Sequence, residues 1–581
     1  MNQPIRSIEE LKTVAAAGLA TLYPKRLKIA VGSASCGLAV GAGAVEAAAI
    51  AAVKELGLDA TVTRIGCIGF CSQEPLLDLF VPNGPRVSYG NMTPEKTRSL
   101  LAGYAANGEL RPELALGRFE SEEHVLTGEA HSYPAHDKAL AEVPEWSSLD
   151  FYRSQKKVIL RNCGSIDPLS ISEVIARGAY RGALSAFTEM TPDKIIDEVT
   201  RSGLRGRGGA AFPTGQKWRF ARSAGGAAKY VVCNADEGEP GSYMDRTVLE
   251  GDPHAVIEGM LIGAYAIGAR EGFIYIRSEY PLAIATLQAA IDQAEKAGLL
   301  GDDVLGSGRS FRIKIRVGAG AYICGEETAL LESIEGHAGE PRSRPPYPVT
   351  SGLWGNPTVV NNVKTWASVA PILTRGADWY AAMGTRRTPG TTVFSLEGAV
   401  RNAGLVEVPF GFSLSQMIYQ IGGGIIGDRP LKALQAGGAA RGCLPPSVLE
   451  LAIDTEDRAG ETVMIGTGGI IVLDDGACTV DMARHLVGFF LEESCGKCVP
   501  CREGLRQLSG IMDRICAGAG CEADLKLLEK LARTMKTAAV CGLGGMAPSA
   551  VLATLQHFRA EFEKHVHEKS CPAGVCEGLT C

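Results

Sequence analysis

No part of this 581-residue chain is apolar for long enough to cross a bilayer; the stretch Val256–Ala269 is broken by Glu258 and ended by Arg270. The first 25 residues carry Glu9, Glu10 and Pro24 and lack an uninterrupted apolar core, so a secretory leader is not expected. Basic charge is not in excess either. Lys and Arg number 58 against 65 Asp and Glu, a formal net charge of −7, which gives no footprint for nucleic acid. Tandem repeats and low-complexity tracts are missing. With no leader, the 17 cysteines do not read as an extracellular disulfide framework, and a reducing cytoplasm with thiols held for metal is the expectation. What the chain does have is a hydrophobic content of 46% with 21% charged residues, enough for packed cores. At ~150 residues per domain, roughly four units are expected. Its 71 glycines fall in discrete motifs, a pattern that suits backbone approaching ligands closely.

The densest motif is Ser494-Cys495-Gly496-Lys497-Cys498-Val499-Pro500-Cys501-Arg502-Glu503-Gly504, with a further cysteine at Cys541. Three thiols two residues apart and one distant arm suit a cubane 4Fe-4S cluster, each iron of which takes one thiolate. A zinc knuckle pairs its ligands two and two, so three in one short loop argue against it. A cubane moves one electron at a time and needs a donor.

Around this motif the pattern divides the chain. Residues 1–110 read as a compact α/β unit, with strands at Leu27–Val31, Thr61–Ile65 and Leu76–Val81 and helices at Val45–Leu56 and Thr93–Tyr104. Residues 111–157 are polar with scattered Pro and His and read as a linker. A large α/β domain occupies 158–385, a small β-rich domain 386–475 and a helical segment 476–566, ahead of a cysteine-rich tail, 567–581. The predicted fold class is therefore α/β multidomain.

In the large domain, Gly203-Leu-Arg205-Gly206-Arg207-Gly208-Gly209-Ala210-Ala211-Phe212-Pro-Thr214-Gly215-Gln-Lys217 looks like an anion cradle. Gly206, Gly208 and Ala211 satisfy a dinucleotide fingerprint, but the preceding residues, Thr191–Ser202, have helical spacing where that fingerprint requires a strand. A Gly-rich loop alone reads equally well as an ordinary turn. Two further segments weigh against that. Tyr230–Gly241 is a strand running into an acidic loop with Asn234, Asp236, Glu237 and Glu239, and Gly318–Thr328 is a Gly-rich turn entering a helix with Tyr322, Gly325, Glu326 and Glu327. Carboxylates and amides at strand ends accept hydrogen bonds from ribityl or ribose hydroxyls. Taken singly, each acidic pair would read as a solvated helix start.

The succession GLRGRGGAAFPTGQKW, NADEGEPGSYMDR, GAGAYICGEETALLESIEG, GLWGNPTVVNNVKT and SCGKCVPCREG resembles the NADH-binding flavoprotein subunit of respiratory complex I over residues 158–565. It also resembles the corresponding subunits of NAD-linked and electron-bifurcating hydrogenases and formate dehydrogenases. The resemblance implies an FMN- and NADH-binding domain at 158–385, a β-grasp domain at 386–475 and a helical bundle holding the cubane on Cys495, Cys498, Cys501 and Cys541. It assigns FMN contacts to Gly206, Arg207, Gly208, Gly209, Lys217, Asn234, Asp236, Glu237, Tyr322, Gly325, Glu326, Asn361 and Asn362. NAD(H) contacts fall on Phe212, Phe220, Glu239, Glu327 and Tyr347, with Glu327 positioning the nicotinamide. Outside the resemblance, Phe212 and Tyr347 would read as core aromatics. The acidic loop at Glu237 and Glu239 is expected to repel a 2′-phosphate and favour NAD. Ala211 and Lys364 depart from the family's usual glycine and glutamate. The implied partners are a small thioredoxin-like iron–sulfur subunit and a larger catalytic iron–sulfur or molybdenum/tungsten subunit. The alternative parent is a membrane-associated NADH:quinone oxidoreductase.

By the same resemblance, 1–110 is a thioredoxin-like ferredoxin unit. A 2Fe-2S cluster there needs four thiolates, but the chain offers Cys36, Cys67 and Cys71, with Val31 in the place of the first. Either Ser33, Ser35 or an outside group replaces it, or the cluster is lost. At the other end, Cys478, His565, Cys571 and Cys576 form a candidate structural zinc site. Cys163, Cys233, Cys324, Cys443, Cys516 and Cys521 lack ligand spacing and read as small buried apolar groups.

Overall fold

The computed structural model describes residues 4–134, 140–455, 462–464 and 466–580. Helix Ile8–Leu22 opens the chain under a Ser7 cap, but it packs on the large domain through Leu11 and Leu22 rather than on its own sheet. That sheet comprises β1 (Leu27–Gly32), β2 (Ala60–Ile65), β3 (Leu77–Phe80), β4 (Arg86–Tyr89) and β5 (Ala115–Phe119), in the order β2-β1-β3-β4-β5. Only β1 and β2 are parallel. Helices Ala42–Glu55 and Pro94–Asn107 lie together on one face, their Ala and Leu side chains meeting Ile29, Val31, Leu77 and Val87.

The stretch read as a linker carries structure. β5 extends the first sheet, β6 (Ser121–His124) and β7 (Glu129–Ser132) form a hairpin, and Trp146, Phe151 and Tyr152 are buried against the β-rich domain. Charge hides this packing in the sequence. Arg86, wholly buried, is held by Asp78 (2.5 Å) and Glu122 (3.1 Å) between the rings of Phe80 and Phe119.

The large domain is built on β8 (Tyr230–Ala235), β9 (Glu271–Arg277), β10 (Arg312–Gly318) and β11 (Thr358–Asn362), all parallel, in the order β10-β9-β8-β11. Its central helix, Pro253–Ile267, is buried along almost its whole length, which accounts for the apolar stretch that is too short for a membrane. No helix among the described residues is long and apolar enough to span a bilayer. A five-stranded mixed sheet follows from residues 391 to 474, with helix Gln416–Ile421 against it. Helices Thr479–Glu492, Val499–Cys516, Glu522–Ala538 and Ser549–His557 then form the bundle.

Candidate cofactor sites

In an open parallel sheet, ligands sit beyond the carboxyl ends of the strands where the strand order reverses. Here β8 leads outward to β9 and β10, while β11 returns to its other side, so the reversal lies between β8 and β11. The register pairs Asn362 with Asn234 and Asn361 with Cys233 at that point. Asn234 Nδ2 donates to the Gly325 carbonyl (2.8 Å), tying the third Gly-rich motif to the crevice. As its spacing predicts, the helix Pro192–Arg201 precedes the first Gly-rich loop, and the loop folds back on itself through Gly206 N–H to the Phe212 carbonyl (2.9 Å). Gly208 reaches the crevice wall: a Cβ there would come within 3.0 Å of Asn362 Cβ. Ala211 holds φ +53°, a left-handed conformation that costs an alanine about 1 kcal/mol and suits a glycine. Helix Thr214–Ser223 presents Lys217, whose Nζ lies 3.0 Å from the Val360 carbonyl and 3.5 Å from Glu327.

Several expected ligand groups are spent inside the protein. The Arg207 guanidinium donates to the carbonyls of Thr391, Arg205 and Pro389 and to Tyr380 Oη, and lies against Phe410; it staples the loop to the next domain and brings no free charge to a flavin. Glu237 accepts from the N–H groups of Asp245 (3.0 Å) and Arg246 (3.1 Å), capping helix Met244–Gly251. Glu239 accepts from Ala439 N–H (2.6 Å) and Thr467 Oγ1 in the β-rich domain. Both carboxylates are thus engaged within the protein. Glu326 caps helix Glu327–Glu335 through Thr328 and Ala329 N–H and pairs with Arg344 (3.5 Å). Asn362 caps helix Val363–Ala367. Lys364, buried, pairs with Asp245 at 3.0 Å, so its charge is neutralised within the wall of the crevice.

Asp236 keeps one free oxygen. Its Oδ1 accepts from Arg277 (3.1 Å), while Oδ2 is buried with no partner, 3.8 Å from where a Gly325 Cβ would stand. Burial pushes its carboxyl up to about 7 despite Arg277. An unpaired acceptor at this crevice fits a ribityl hydroxyl, and with Gly325 close beside it the residues present suit FMN. Outside the crevice, Phe212, Phe220 and Tyr347 are 41%, 45% and 55% exposed, and the two phenylalanine rings lie 6.5 Å apart. Their exposure sets these three aromatics apart from the core. Glu327 pairs with Arg344 (3.2 Å) as well as with Lys217.

Glu237 also predicts a pH dependence. Burial, reinforced by Asp245 and opposed by Lys364, pushes it up to about 7. A carboxyl raised on folding contributes stability that is whole below its unfolded value, about 4.3, and is lost as pH rises through 7. The flavin-free protein is therefore expected to melt at progressively lower temperature between pH 5 and 8, and Glu237→Gln to flatten that decline. An unchanged slope in the variant contradicts the assignment.

The cluster motif lies beside the crevice. Cys498 caps helix Val499–Cys516, Cys501 sits in its first turn, and Cys541 caps helix Gly542–Met546, so helix N-termini point at the thiolates. Burial pushes the Cys501 thiol up, eased by Ser494 and reinforced by Cys498, Cys541 and Cys495. Gly544 must lack a side chain, because a Cβ would stand 3.2 Å from Cys501 Sγ. The donor set fits a cubane, which takes four thiolates. Tyr322 joins the two sites: its N–H donates to Glu493 (2.8 Å), and its ring meets Phe489 edge-on at 5.1 Å.

The tail closes a second cysteine group. Ligand atoms of Cys478, His565, Cys571 and Cys576 lie within 4.8 Å of one another, and all four residues are buried. His565 Nε2 is 3.4 Å from the sulfurs of Cys478 and Cys576, and Nδ1 faces the Glu561 carbonyl at 2.8 Å. That outer bond fixes the ring with Nε2 toward the thiols, the arrangement of a metal-binding imidazole. Cys516, read as inert, lies beside this set and close to Asp481. At the N-terminus Cys36, Cys67 and Cys71 gather in the same way.

Residues 199–371 match the family described as the Nuo51 FMN-binding domain, and 481–565 match the NADH-ubiquinone oxidoreductase-F iron–sulfur binding region. The NADP-reducing hydrogenase subunit HndC of Solidesulfovibrio fructosivorans is 50% identical over 427 residues, 74% of this chain and 87% of the relative. The chain belongs to the NADH-ubiquinone oxidoreductase-F family, which includes hydrogenase subunits. A second relative, from the NADH-quinone oxidoreductase of Rhizobium meliloti, is 46% identical over 71% of this chain and 99% of its own length. Among solved structures, the NAD+-reducing [NiFe]-hydrogenase in its H2-reduced state superposes with a TM-score of 0.62 at 29% identity, covering 97% of this chain and 90% of that one. Membership of the oxidoreductase-F family accounts for the crevice and the cluster motif together, the two matched regions falling on them. The N-terminal sheet and the tail lie outside both regions.

Proposed function

We propose that this chain is the NAD(H)-exchanging flavoprotein module of a multi-subunit iron–sulfur oxidoreductase, a diaphorase. The observation that carries the reading is the Tyr322–Glu493 contact, which seats the flavin crevice against the cluster loop. Bound FMN would exchange hydride with nicotinamide and single electrons with the cluster. The chain's own part is positional. Asn234, Asp236, Gly208, Gly325 and Asn361 would hold the flavin; Phe212, Phe220 and Tyr347 would stack the dinucleotide; Glu327, steadied by Lys217 and Arg344, would orient the nicotinamide. Cys495, Cys498, Cys501 and Cys541 would hold a 4Fe-4S cluster, and Cys478, His565, Cys571 and Cys576 a structural zinc ion. Phe212→Ala is expected to raise KM for NADH about 10-fold, from a stacking loss of about 1–3 kcal/mol, with FMN content unchanged. An unaltered KM removes Phe212 from the dinucleotide surface.

Likeness to the hydrogenase structure extends over the N-terminal unit, which supports a hydrogenase-type assembly with iron–sulfur partner subunits over a quinone-reducing one. Co-purification from the native source tests this: a hydrogenase, formate dehydrogenase or similar catalytic subunit is the expected companion, and membrane subunits are the contrary result.

A further inference from the structure

The thioredoxin-like sheet implies a binuclear iron–sulfur cluster at Cys36, Cys67 and Cys71, and the geometry does not fit one. The ligand atoms of all three cysteines lie within 4.8 Å of one another. Thiolates on one tetrahedral ion, with metal–sulfur bonds of about 2.3 Å, stand about 3.8 Å apart. Thiolates on different irons of a binuclear cluster are separated by the iron–iron axis as well, and three ligands must straddle it. The cubane cysteines show the contrast: they are not drawn into so tight a set among the described residues.

A buried carboxylate stands nearest the open fourth position. Val31 is turned into the apolar core with Ile29, Leu77 and Val87. Ser33 Oγ donates to the Val31 carbonyl (3.2 Å), and Ser35 is taken by Glu250 through both its hydroxyl (2.5 Å) and its N–H (2.8 Å). Glu74, only 7% exposed, brings Oε1 to 3.9 Å from Cys36 Sγ, although its carboxylate lies outside the 4.8 Å set of the three sulfurs. Its Oε2 accepts from Leu76 N–H (3.0 Å), which fixes the carboxylate's direction. We infer that Cys36, Cys67 and Cys71 bind a single tetrahedral divalent ion, of the zinc type, in place of a two-iron cluster, and that the Glu74 carboxylate moves up to take its fourth position.

Such a site is a staple. Cys71 Sγ lies 3.8 Å from Tyr243 Oη, at the start of helix Met244–Gly251 in the flavin domain. Gly66, next to Cys67, packs so closely on Gly251 that a Cβ would come within 2.5 Å of its Cα. The Gly69 carbonyl accepts from Leu405 N–H (2.7 Å) in the β-rich domain. The ion would sit where three domains meet, and the N-terminal unit would offer no redox centre. The proposal is independent of the proposed function.

The test is a difference in metal content between the full-length protein and Cys67→Ser, by elemental analysis, with FMN and cubane iron confirming the fold. Loss of one atom of zinc, with iron constant, is expected. Loss of two irons together with a slowly relaxing binuclear resonance in the reduced wild type overturns the proposal, and so does no loss at all. Should Cys67→Ser fail to fold, Glu74→Ala serves, with the same single-atom loss expected and unchanged metal contradicting Glu74 as ligand. Cobalt substitution adds an optical check: Glu74→Cys should shift the cobalt bands to the red as oxygen gives way to sulfur, and unmoved bands exclude Glu74 from coordination.

Discussion

Lys364→Glu is expected to destabilise the flavin domain by about 3–5 kcal/mol. Lys364 and Asp245 form a buried pair, with side chains 2% and 5% exposed at 3.0 Å. Removing one partner leaves the other charge uncompensated in a poorly solvated wall. The variant does more, since the new carboxylate would stand beside Asp245 and near Glu237, which already feels both charges. Asp245 also accepts from Asn362 Nδ2 (2.5 Å), so the disturbance reaches the crevice and FMN retention should fall with stability. Differential scanning and flavin content read both effects. The double variant Lys364→Glu/Asp245→Asn should recover much of the loss, because one fewer negative charge remains buried. A single variant as stable as the wild type would mean that the pair contributes nothing.

Cys576→Ser should have the second large effect. A structural zinc ion contributes on the order of 10 kcal/mol of binding free energy, all of it tied to the folded arrangement of its ligands. Cys576 belongs to the buried Cys3His set that joins the start of helix Thr479–Glu492 to the tail, so its loss should free residues beyond His565 to proteolysis and lower zinc by one atom per chain. Iron and FMN should stay constant. Cys443→Ser is the control: that thiol is buried beside Thr554, away from the set, and should leave zinc unchanged. Equal zinc in wild type and Cys576→Ser contradicts the site.

The sites were legible in the sequence to different depths. Cysteine spacing sufficed for the cluster motif, because ligand number and chain reach are set by the metal group rather than by the fold. The exposed aromatics Phe212, Phe220 and Tyr347 could not be told from core residues by pattern; the motifs around them marked them out. Loop charges carry more than one demand. Arg207, Glu237 and Glu239 look like ligand groups in a Gly-rich, acidic context, yet each satisfies backbone or hydroxyl groups from a distant segment, a demand no local pattern records. β4 and β5 were missed for a related reason, since the buried Arg86 network interrupts the apolar alternation by which strands are recognised. Val31 announced that the N-terminal ligand set was incomplete. Glu74 carried no signal of its own, being one acidic residue among many until the fold set its carboxylate against Cys36.

Anaerobic mixing of the purified holoprotein with NADH, followed by optical and electron paramagnetic resonance spectra on frozen samples, tests the central claim most directly. Bleaching of the flavin band and the appearance of a tetranuclear resonance are expected, with Cys498→Ser keeping the bleaching and losing the resonance. A flavin that does not bleach, or a tetranuclear resonance that survives in Cys498→Ser, would contradict the account.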